Sequence, residues 1–339
     1  MNYFLAGDLG GTKTVLALYR MDAGGCQLLR SRRFASSEHA DLESLVAIFL
    51  AECPEAPILA AFGVAGPVVA GEARITNLGW SVSCRRLAAR FHFAEVLLLN
   101  DLVALAEAVP SLGPEDLLVV NRGEPAPEGA MAILAPGTGL GEASLCWDGE
   151  RYRAYPSEGG HADFAPLTLQ QEELRRSLQA GFGHVSYETV CSGLGIPRIY
   201  TFLRETGGRG LPPRLAAELV GVADPTPVLV RHALEHGCEL CQEALSLFFS
   251  VLAAEAGNVA LKFLATGGVF LGGGLLPRLL PLFDGSHFME VFAGKGKMAD
   301  LLWRMPVQII TRENTGLMGA AVAAHRRLSA GAGREARCR

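Results

Sequence analysis

A glycine-rich bend carrying a threonine, with a short apolar stretch on each side, occurs twice in this sequence and constrains the fold more than any other feature. The first copy has apolar residues 3–6, then Gly7-Asp8-Leu9-Gly10-Gly11-Thr12-Lys13-Thr14, then apolar residues 15–19. The second has residues 130–134, then Pro136-Gly137-Thr138-Gly139-Leu140-Gly141, then residues 142–147. Each reads as strand, bend, strand. A Rossmann or P-loop fingerprint needs a helix after the glycines, and neither spacing matches. Such a hairpin can still offer backbone N–H groups and a hydroxyl to phosphate oxygens. Asp8 could hold a magnesium ion through water. The repeat predicts two related halves facing one cleft, with phosphates held from both sides.

The stretch 96–99 is apolar without alternation and reads as a strand buried on both faces. Leu102, Val103, Leu105 and Ala106 then recur at helical spacing. Asn100 and Asp101 therefore sit where a strand ends and a helix begins. In open α/β sheets that carboxyl edge binds ligands. Asp101 can accept a proton from a substrate hydroxyl, and Asn100 can both donate and accept hydrogen bonds. By itself Asp101 also reads as a helix N-cap. Strands and helices alternate around these motifs, which predicts an α/β layer fold.

Three further stretches carry polar groups among glycines. In residues 156–166, Glu158 and His161 lie three apart around Gly159-Gly160, where carboxylate and imidazole can converge on a hydroxylated ligand. Glu188 opens an apolar helical turn and also suits a helix N-terminus. Gly272-Gly273-Gly274 follows a strand, and their amides could sit against a purine or its phosphates. The turn Gly294-Lys295-Gly296-Lys297 offers two cations to phosphate or to solvent.

With 339 residues, 50% of them hydrophobic, the chain is long enough for two domains. A net charge of -5 and only short basic clusters argue against nucleic-acid and membrane-surface partners. The eight cysteines show no framework spacing, and the lone pair Cys238 and Cys241 lies in a helical pattern. Reduced cysteines in a cytoplasmic protein are the simple account, and no zinc site is expected. Asp8 interrupts the apolar start, which argues against a signal peptide. Residues 245–264 contain Glu255, Asn258 and Lys262, and read as a buried helix rather than a membrane span.

Taken together these residues resemble the bacterial glucokinase family, within the superfamily of actin, hexokinase and heat-shock chaperone ATPases. The resemblance runs from Gly7 to about His325 and rests on the two glycine bends, Thr76-Asn77-Leu78-Gly79-Trp80, Leu99-Asn100-Asp101, residues 157–166, Ser186-Tyr187-Glu188 with Ser192-Gly193, and Gly272-Gly273-Gly274. The Glu158 stretch is the most specific of them. The resemblance implies a two-domain actin-like ATPase (ribonuclease H-like) fold with an interdomain cleft. It implies a small domain of residues 1–110 plus 314–330, a large domain of residues 111–313, and a frayed tail at 331–339.

The resemblance also implies ATP-dependent phosphorylation of glucose at the 6-hydroxyl, the first step of glycolysis. Asp101 is then the general base. Asn100, Asp101, Glu158, His161 and Glu188 are the glucose ligands, with the Gly137-Thr138 backbone beside them. Gly7, Asp8, Leu9, Gly10, Gly11, Thr12 and Thr138 face the ATP phosphates, Gly272, Gly273 and Gly274 the adenosine side, and Asp8 the magnesium ion. A cytoplasmic homodimer is expected. Lys13 departs from the asparagine of many relatives, and the cysteine-rich zinc loop of the related ROK sugar kinases is absent. A kinase for another hexose and a noncatalytic sugar sensor are the alternatives. Sensors of this superfamily usually carry a helix-turn-helix ahead of the first glycine bend, and only seven residues precede Asp8. A chaperone-like or actin-like ATPase has no use for the Glu158 and His161 stretch.

Overall fold

The first glycine bend closes a hairpin. In this computed structural model, which describes residues 2–22, 25–75 and 77–337, β1 (Asn2–Leu9) pairs antiparallel with β2 (Lys13–Asp22), placing Asp8 opposite Val15. β3 (Gly25–Ala35) adds outside β2. After α1 (Leu42–Ala51), capped by the Asp41 side chain on Ser44 N–H at 2.7 Å, β4 (Leu59–Val64) lies parallel to β1. A small meander, β5 (Val68–Val69), β6 (Glu72–Ile75) and β7 (Trp80–Ser83), leads through α2 (Cys84–Phe91) to β8 (Glu95–Asn100) and α3 (Asp101–Ala108). The sheet order is β3-β2-β1-β4-β8. Thr76, named in the sequence reading, lies outside the described residues.

Alternation along β1 explains why this sheet is covered on both faces. Leu5 and Leu9 point into a core with Phe49, Phe62 and Trp80. Phe4 and Ala6 point into a second core with Leu317, Ala320, Ala321 and Ala324 of the C-terminal helix (Thr315–Arg337). That helix is able to approach α3 because Gly319 has no side chain; a Cβ there would run into the Ala104 carbonyl oxygen. It runs on to Arg337, past residue 330, where the sequence reading places a frayed tail. One expectation is corrected. Residues 96–99 are not buried on both faces: Val96 is buried, but Leu97, Leu98 and Leu99 are half-buried, because β8 is the edge strand.

The chain divides into two compact units, one of Met1–Leu112, Tyr152–Pro156 and Arg312–Arg339, the other of Gly113–Arg151 and Ser157–Thr311. In the second unit, β9 (Leu117–Asn121) precedes the second glycine hairpin, β10 (Met131–Pro136) and β11 (Leu140–Trp147). β12 (Tyr152–Ser157) follows, with most of its residues in the first unit. The helices are α4 (Leu169–Phe182), α5 (Tyr187–Val190), α6 (Gly195–Thr206), α7 (Pro213–Leu219), α8 (Thr226–Glu235) and α9 (Glu239–Phe263). β13 (Gly268–Leu271), α10 (Leu276–Leu279), α11 (Gly285–Ala293), α12 (Ala299–Trp303) and β14 (Val307–Ile310) complete the unit.

β10 is antiparallel to β11 and parallel to β13, which is parallel to β14. This repeats the order β2-β1-β4-β8 of the first unit, so the sequence repeat is a repeat of sheet topology. α8 and α9 are separated at Gly237, with φ 60°. Cys238 is the N-cap residue of α9 and Cys241 is buried within it. α9 is long and apolar enough to cross a membrane, but 78% of its apolar window is buried within the protein. At Gly257 it touches the backbone of α11, where a Cβ would lie 2.4 Å from the Phe292 carbonyl oxygen.

Candidate active site

In the first unit the parallel strands β1, β4 and β8 end level with one another. Leu9 is opposite Val64, and Val64 is opposite Asn100. The first glycine bend and the Asn100-Asp101 pair therefore emerge from the same carboxyl edge of one sheet, the edge where such sheets bind ligands. Gly10 N–H donates to the Lys13 carbonyl at 2.9 Å, which closes the bend and leaves Thr12 exposed.

The bend is pinned by a residue the sequence reading passed over. Ser36 Oγ donates to the Gly10 carbonyl at 2.9 Å and lies 3.0 Å from Thr14 Oγ1, while Ser36 N–H donates to the Thr12 carbonyl at 3.1 Å. Nothing local marks Ser36, because its partners stand more than twenty residues earlier.

Asn100, not Asp101, caps α3. Its Oδ1 accepts from Leu102 N–H at 3.0 Å and Val103 N–H at 3.3 Å, and its Nδ2 donates to the Gly66 carbonyl at 3.1 Å. Asp101 is the first residue of the helix, half-buried, with Oδ1 accepting from Leu102 N–H at 2.9 Å. Its carboxylate sits in the first turn, where the helix dipole favours negative charge.

Asp8 lies on β1 between Val15 and Gly63. A Cβ on Gly316, in the first turn of the C-terminal helix, would be 3.3 Å from Asp8 Oδ1, so the missing side chain makes room for this carboxylate. Burial raises the Asp8 pKa, and the nearby Lys13 charge lowers it in part. A carboxylate short of solvation suits a hard cation that brings its own water, which is how magnesium binds. The donor set thus fits the ion expected there.

In the second unit the glycine bend and Glu188 hold each other. Leu140 N–H donates to Glu188 Oε2 at 2.9 Å, and Gly193 N–H donates to the Gly137 carbonyl at 2.7 Å. Thr138 is exposed at the tip. His161 Nε2 lies 3.9 Å from Glu158 Oε2 and its Nδ1 lies 3.8 Å from Glu188 Oε1. The side chains of Glu158 and His161 are 73% and 61% exposed, so this acid–imidazole–acid group is open to a ligand. The turn that carries them is tied down by Tyr187 N–H to the Ala162 carbonyl at 3.0 Å and by Asp163 Oδ1 to His184 Nε2 at 2.8 Å.

Gly272 N–H donates to the Leu134 carbonyl at 2.8 Å, so the triple glycine leaves the sheet beside the second bend. Gly273 has φ 88°, and a Cβ there would lie 2.7 Å from the Pro136 carbonyl oxygen, so glycine is required by both conformation and space. The two cations of the turn at 294–297 differ: Lys297 is exposed, whereas Lys295 is half-buried, its Nζ donating to the Ala254 carbonyl at 3.0 Å and to Asn258 Oδ1 at 2.7 Å, and burial lowers its pKa.

Among the described residues, one group has the spacing of a metal site: Glu218, His232 and His236, with ligand atoms within 4.8 Å of one another. Arg214 Nε at 3.1 Å and Arg231 Nη2 at 2.5 Å already pair with Glu218. With His232 they hold its pKa down to about 2. The two guanidinium groups supply the counter-charge that a cation would otherwise bring, so the arrangement reads as an ion-pair network.

Both sheets, with their hairpin-first order and glycine bends, are those of the actin-like ATPase fold. The sequence profile described as Glucokinase matches residues 5–327. A glucokinase of Nostoc sp. (strain PCC 7120) is 38% identical over 341 residues, which cover 96% of this chain and 100% of that one. The crystal structure of a glucokinase from an Antarctic psychrotroph superposes with a TM-score of 0.83 at 32% identity, covering 96% of this chain and 99% of that one. A ROK family glucokinase from Streptomyces griseus, solved in complex with glucose and AMPPNP, shares the fold at a TM-score of 0.63 and 19% identity, over 96% of this chain and 100% of that one. The chain belongs to the glucokinase family.

Proposed function

We propose that this protein transfers the γ-phosphoryl group of ATP to the 6-hydroxyl of glucose, with Asp101 as general base. The observation that carries the reading is the open group of Glu158, His161 and Glu188, with imidazole to carboxylate distances of 3.9 and 3.8 Å. Two carboxylates and an imidazole at this spacing match several sugar hydroxyls at once. Sites that hydrogen-bond hydroxyls discriminate strongly against analogues lacking them. Asn100, Asp101 and the Gly137-Thr138 backbone are the other sugar contacts that membership of the glucokinase family implies. The Streptomyces griseus neighbour, bound to glucose and AMPPNP, supports the same two substrates.

The mechanism follows from what each group can do. Asp101 takes the proton of the 6-hydroxyl as that oxygen attacks phosphorus. Residues 7–12, Thr138 and Gly272, Gly273 and Gly274 are the nucleotide-facing residues in this reading. The Gly10 and Gly272 amides are already bonded to the Lys13 and Leu134 carbonyls, so the donors to phosphate oxygens come from the other backbone N–H groups and from the hydroxyls of Thr12 and Thr138. Asp8 would hold magnesium through water; the ion, when bound, neutralises charge on the transferring phosphates. Excluding water during the step favours transfer to sugar over hydrolysis. The described cysteines from Cys53 to Cys241 are free thiols, in keeping with a reducing, cytoplasmic setting. A homodimer is part of the same reading, and sedimentation velocity tests it.

The decisive assay is glucose 6-phosphate formation from glucose and magnesium-ATP by the natural protein and by Asp101→Asn. General-base loss lowers kcat by roughly 10²–10⁴. A folded Asp101→Asn protein with full turnover overturns the assignment of the base. Turnover on another hexose but not on glucose shifts the substrate, and no turnover on any sugar favours a sensor.

A further inference from the structure

Behind the exposed sugar-facing group lies a buried set of ionisable side chains that the mechanism above does not use. Glu142, the third residue of β11, is 2% exposed. Its Oε1 is buried with no hydrogen-bond partner among the described residues. Its other oxygen packs on the turn that carries the sugar ligands: an ideal Cβ at Gly159 would lie only 2.0 Å from Glu142 Oε2. That turn is a single 3-10 turn, Gly159–His161, closed by His161 N–H to the Glu158 carbonyl at 3.0 Å and by Gly159 N–H to Ser157 Oγ at 3.0 Å. Nothing separates the Glu142 carboxyl from the backbone that joins Glu158 to His161.

We propose that Glu142 is a proton-dependent positioning residue for glucose binding: its neutral carboxyl supports the Gly159–His161 turn, and its ionised form displaces it. The proposal rests on Glu158 and His161 being sugar ligands, as argued above.

The surroundings favour the neutral form. From α9, Glu255 is fully buried and faces Glu142 as a second acid; Asn258 Nδ2 donates to Glu255 Oε2 at 2.8 Å. Lys262 Nζ lies 3.5 Å from Glu255 Oε1, an ion pair without hydrogen-bond geometry, and its charge offsets only part of the repulsion at Glu142. From α5 comes Tyr187, whose hydroxyl accepts from Asn258 Nδ2 at 2.9 Å, and directly after α5 stands Cys191, a fully buried thiol pushed up by burial and by Glu255 and Glu142. Lys295 is held on the far side of Asn258 at 2.7 Å.

Burial and then the Glu255 charge raise the Glu142 pKa to about 7. A charge on Glu142 would therefore form in a site with no donor for Oε1 and another acid nearby. Unpaired buried charge is relieved by movement or by water entry. The nearest backbone able to give way is the turn at Gly159.

The test is glucose affinity by calorimetry without nucleotide, from pH 5.5 to 8.5, for the natural protein, Glu142→Gln and Glu158→Ala. The natural protein is expected to lose affinity above pH about 7, approaching tenfold per pH unit where only the protonated form binds well. Glu142→Gln, neutral at every pH and of the same shape, is expected to remove that limb and keep the tight value. If the Gln protein does not fold, Glu142→Met, uncharged and of similar length, takes its place. Superimposable pH profiles for the natural protein and the neutral variant overturn the proposal. The other titratable groups near the sugar stay in place in both proteins, so the difference profile belongs to Glu142. Unchanged affinity in Glu158→Ala would instead overturn the placement of the sugar site, whatever the profiles show.

Discussion

Leu140 N–H donates to Glu188 Oε2 at 2.9 Å, so the second glycine bend and a proposed sugar carboxylate are one hydrogen-bonded unit. The same closeness explains Gly139, where a Cβ would stand 2.2 Å from Glu188 Oε2. Gly139→Ala is expected to push Glu188 out of place and lower kcat/KM for glucose by roughly 10–100-fold, since small misplacements of binding groups are costly. The thermal unfolding midpoint should fall modestly, because the displaced carboxylate leaves the Leu140 N–H without its acceptor, a cost of about 1–3 kcal/mol. Steady-state kinetics beside a melting curve checks this; unaltered kinetics would mean that Glu188 does not touch the sugar.

Asn100 has two separable tasks. Its Oδ1 caps α3 and its Nδ2 holds the Gly66 carbonyl at 3.1 Å. Asn100→Ala loses both and should cost about 1 kcal/mol of stability from the cap alone. Asn100→Asp keeps a capping oxygen, so stability should hold within about 0.5 kcal/mol, yet it replaces the donor with an acceptor. Glucose affinity is expected to fall in both. Denaturant titrations with glucose binding separate the tasks, and an Asp variant that binds glucose normally removes Nδ2 from the sugar site.

Ser36 and Thr14 are both fully buried and share a 3.0 Å hydroxyl contact under the first glycine bend. Ser36→Ala leaves the Thr14 hydroxyl unsatisfied and frees the Gly10 carbonyl, at a cost of about 1–3 kcal/mol. The nucleotide KM should rise while the glucose KM stays close to its starting value, because the loosened loop is the proposed phosphate loop. A rise in the glucose KM alone would place the loop elsewhere in the reaction.

Glu142 also makes stability depend on pH. Its pKa is raised from 4.5 unfolded to about 7 folded, so the folded state holds the proton longer. The stabilising contribution is complete below about 4.5, declines as pH rises, and is gone above about 7. The decline amounts to roughly 3 kcal/mol. Glu142→Gln should flatten this part of the curve. Urea midpoints measured at pH 5, 6, 7 and 8 give the answer, and parallel curves for the two proteins would refute the link.

Much of this was legible in the chain. The two glycine bends show in the sequence because a tight turn between strands demands glycine locally. The helix start after Asn100 shows in apolar spacing within a few residues. The Glu158 and Glu188 motifs are likewise short and contiguous. The adjacent pair Asn100-Asp101 was legible as the junction of a strand and a helix but not as a division of labour. Either residue can cap a helix, and only the approach of the Gly66 carbonyl shows which side chain takes the cap.

Other facts belong to contacts between residues far apart in sequence. The sequence by itself determined the strands and bends, their repetition and the family, since all of these are carried by neighbouring residues. Tertiary structure alone decided that residues 96–99 form an edge strand, that Ser36 locks the first bend, and that Lys295 is tied to α9. It alone placed Glu142 beneath Gly159 and beside Glu255. The physical reason is that burial, desolvation and charge repulsion depend on what the folded chain brings alongside a group, and a glutamate within a strand pattern carries no local mark of it.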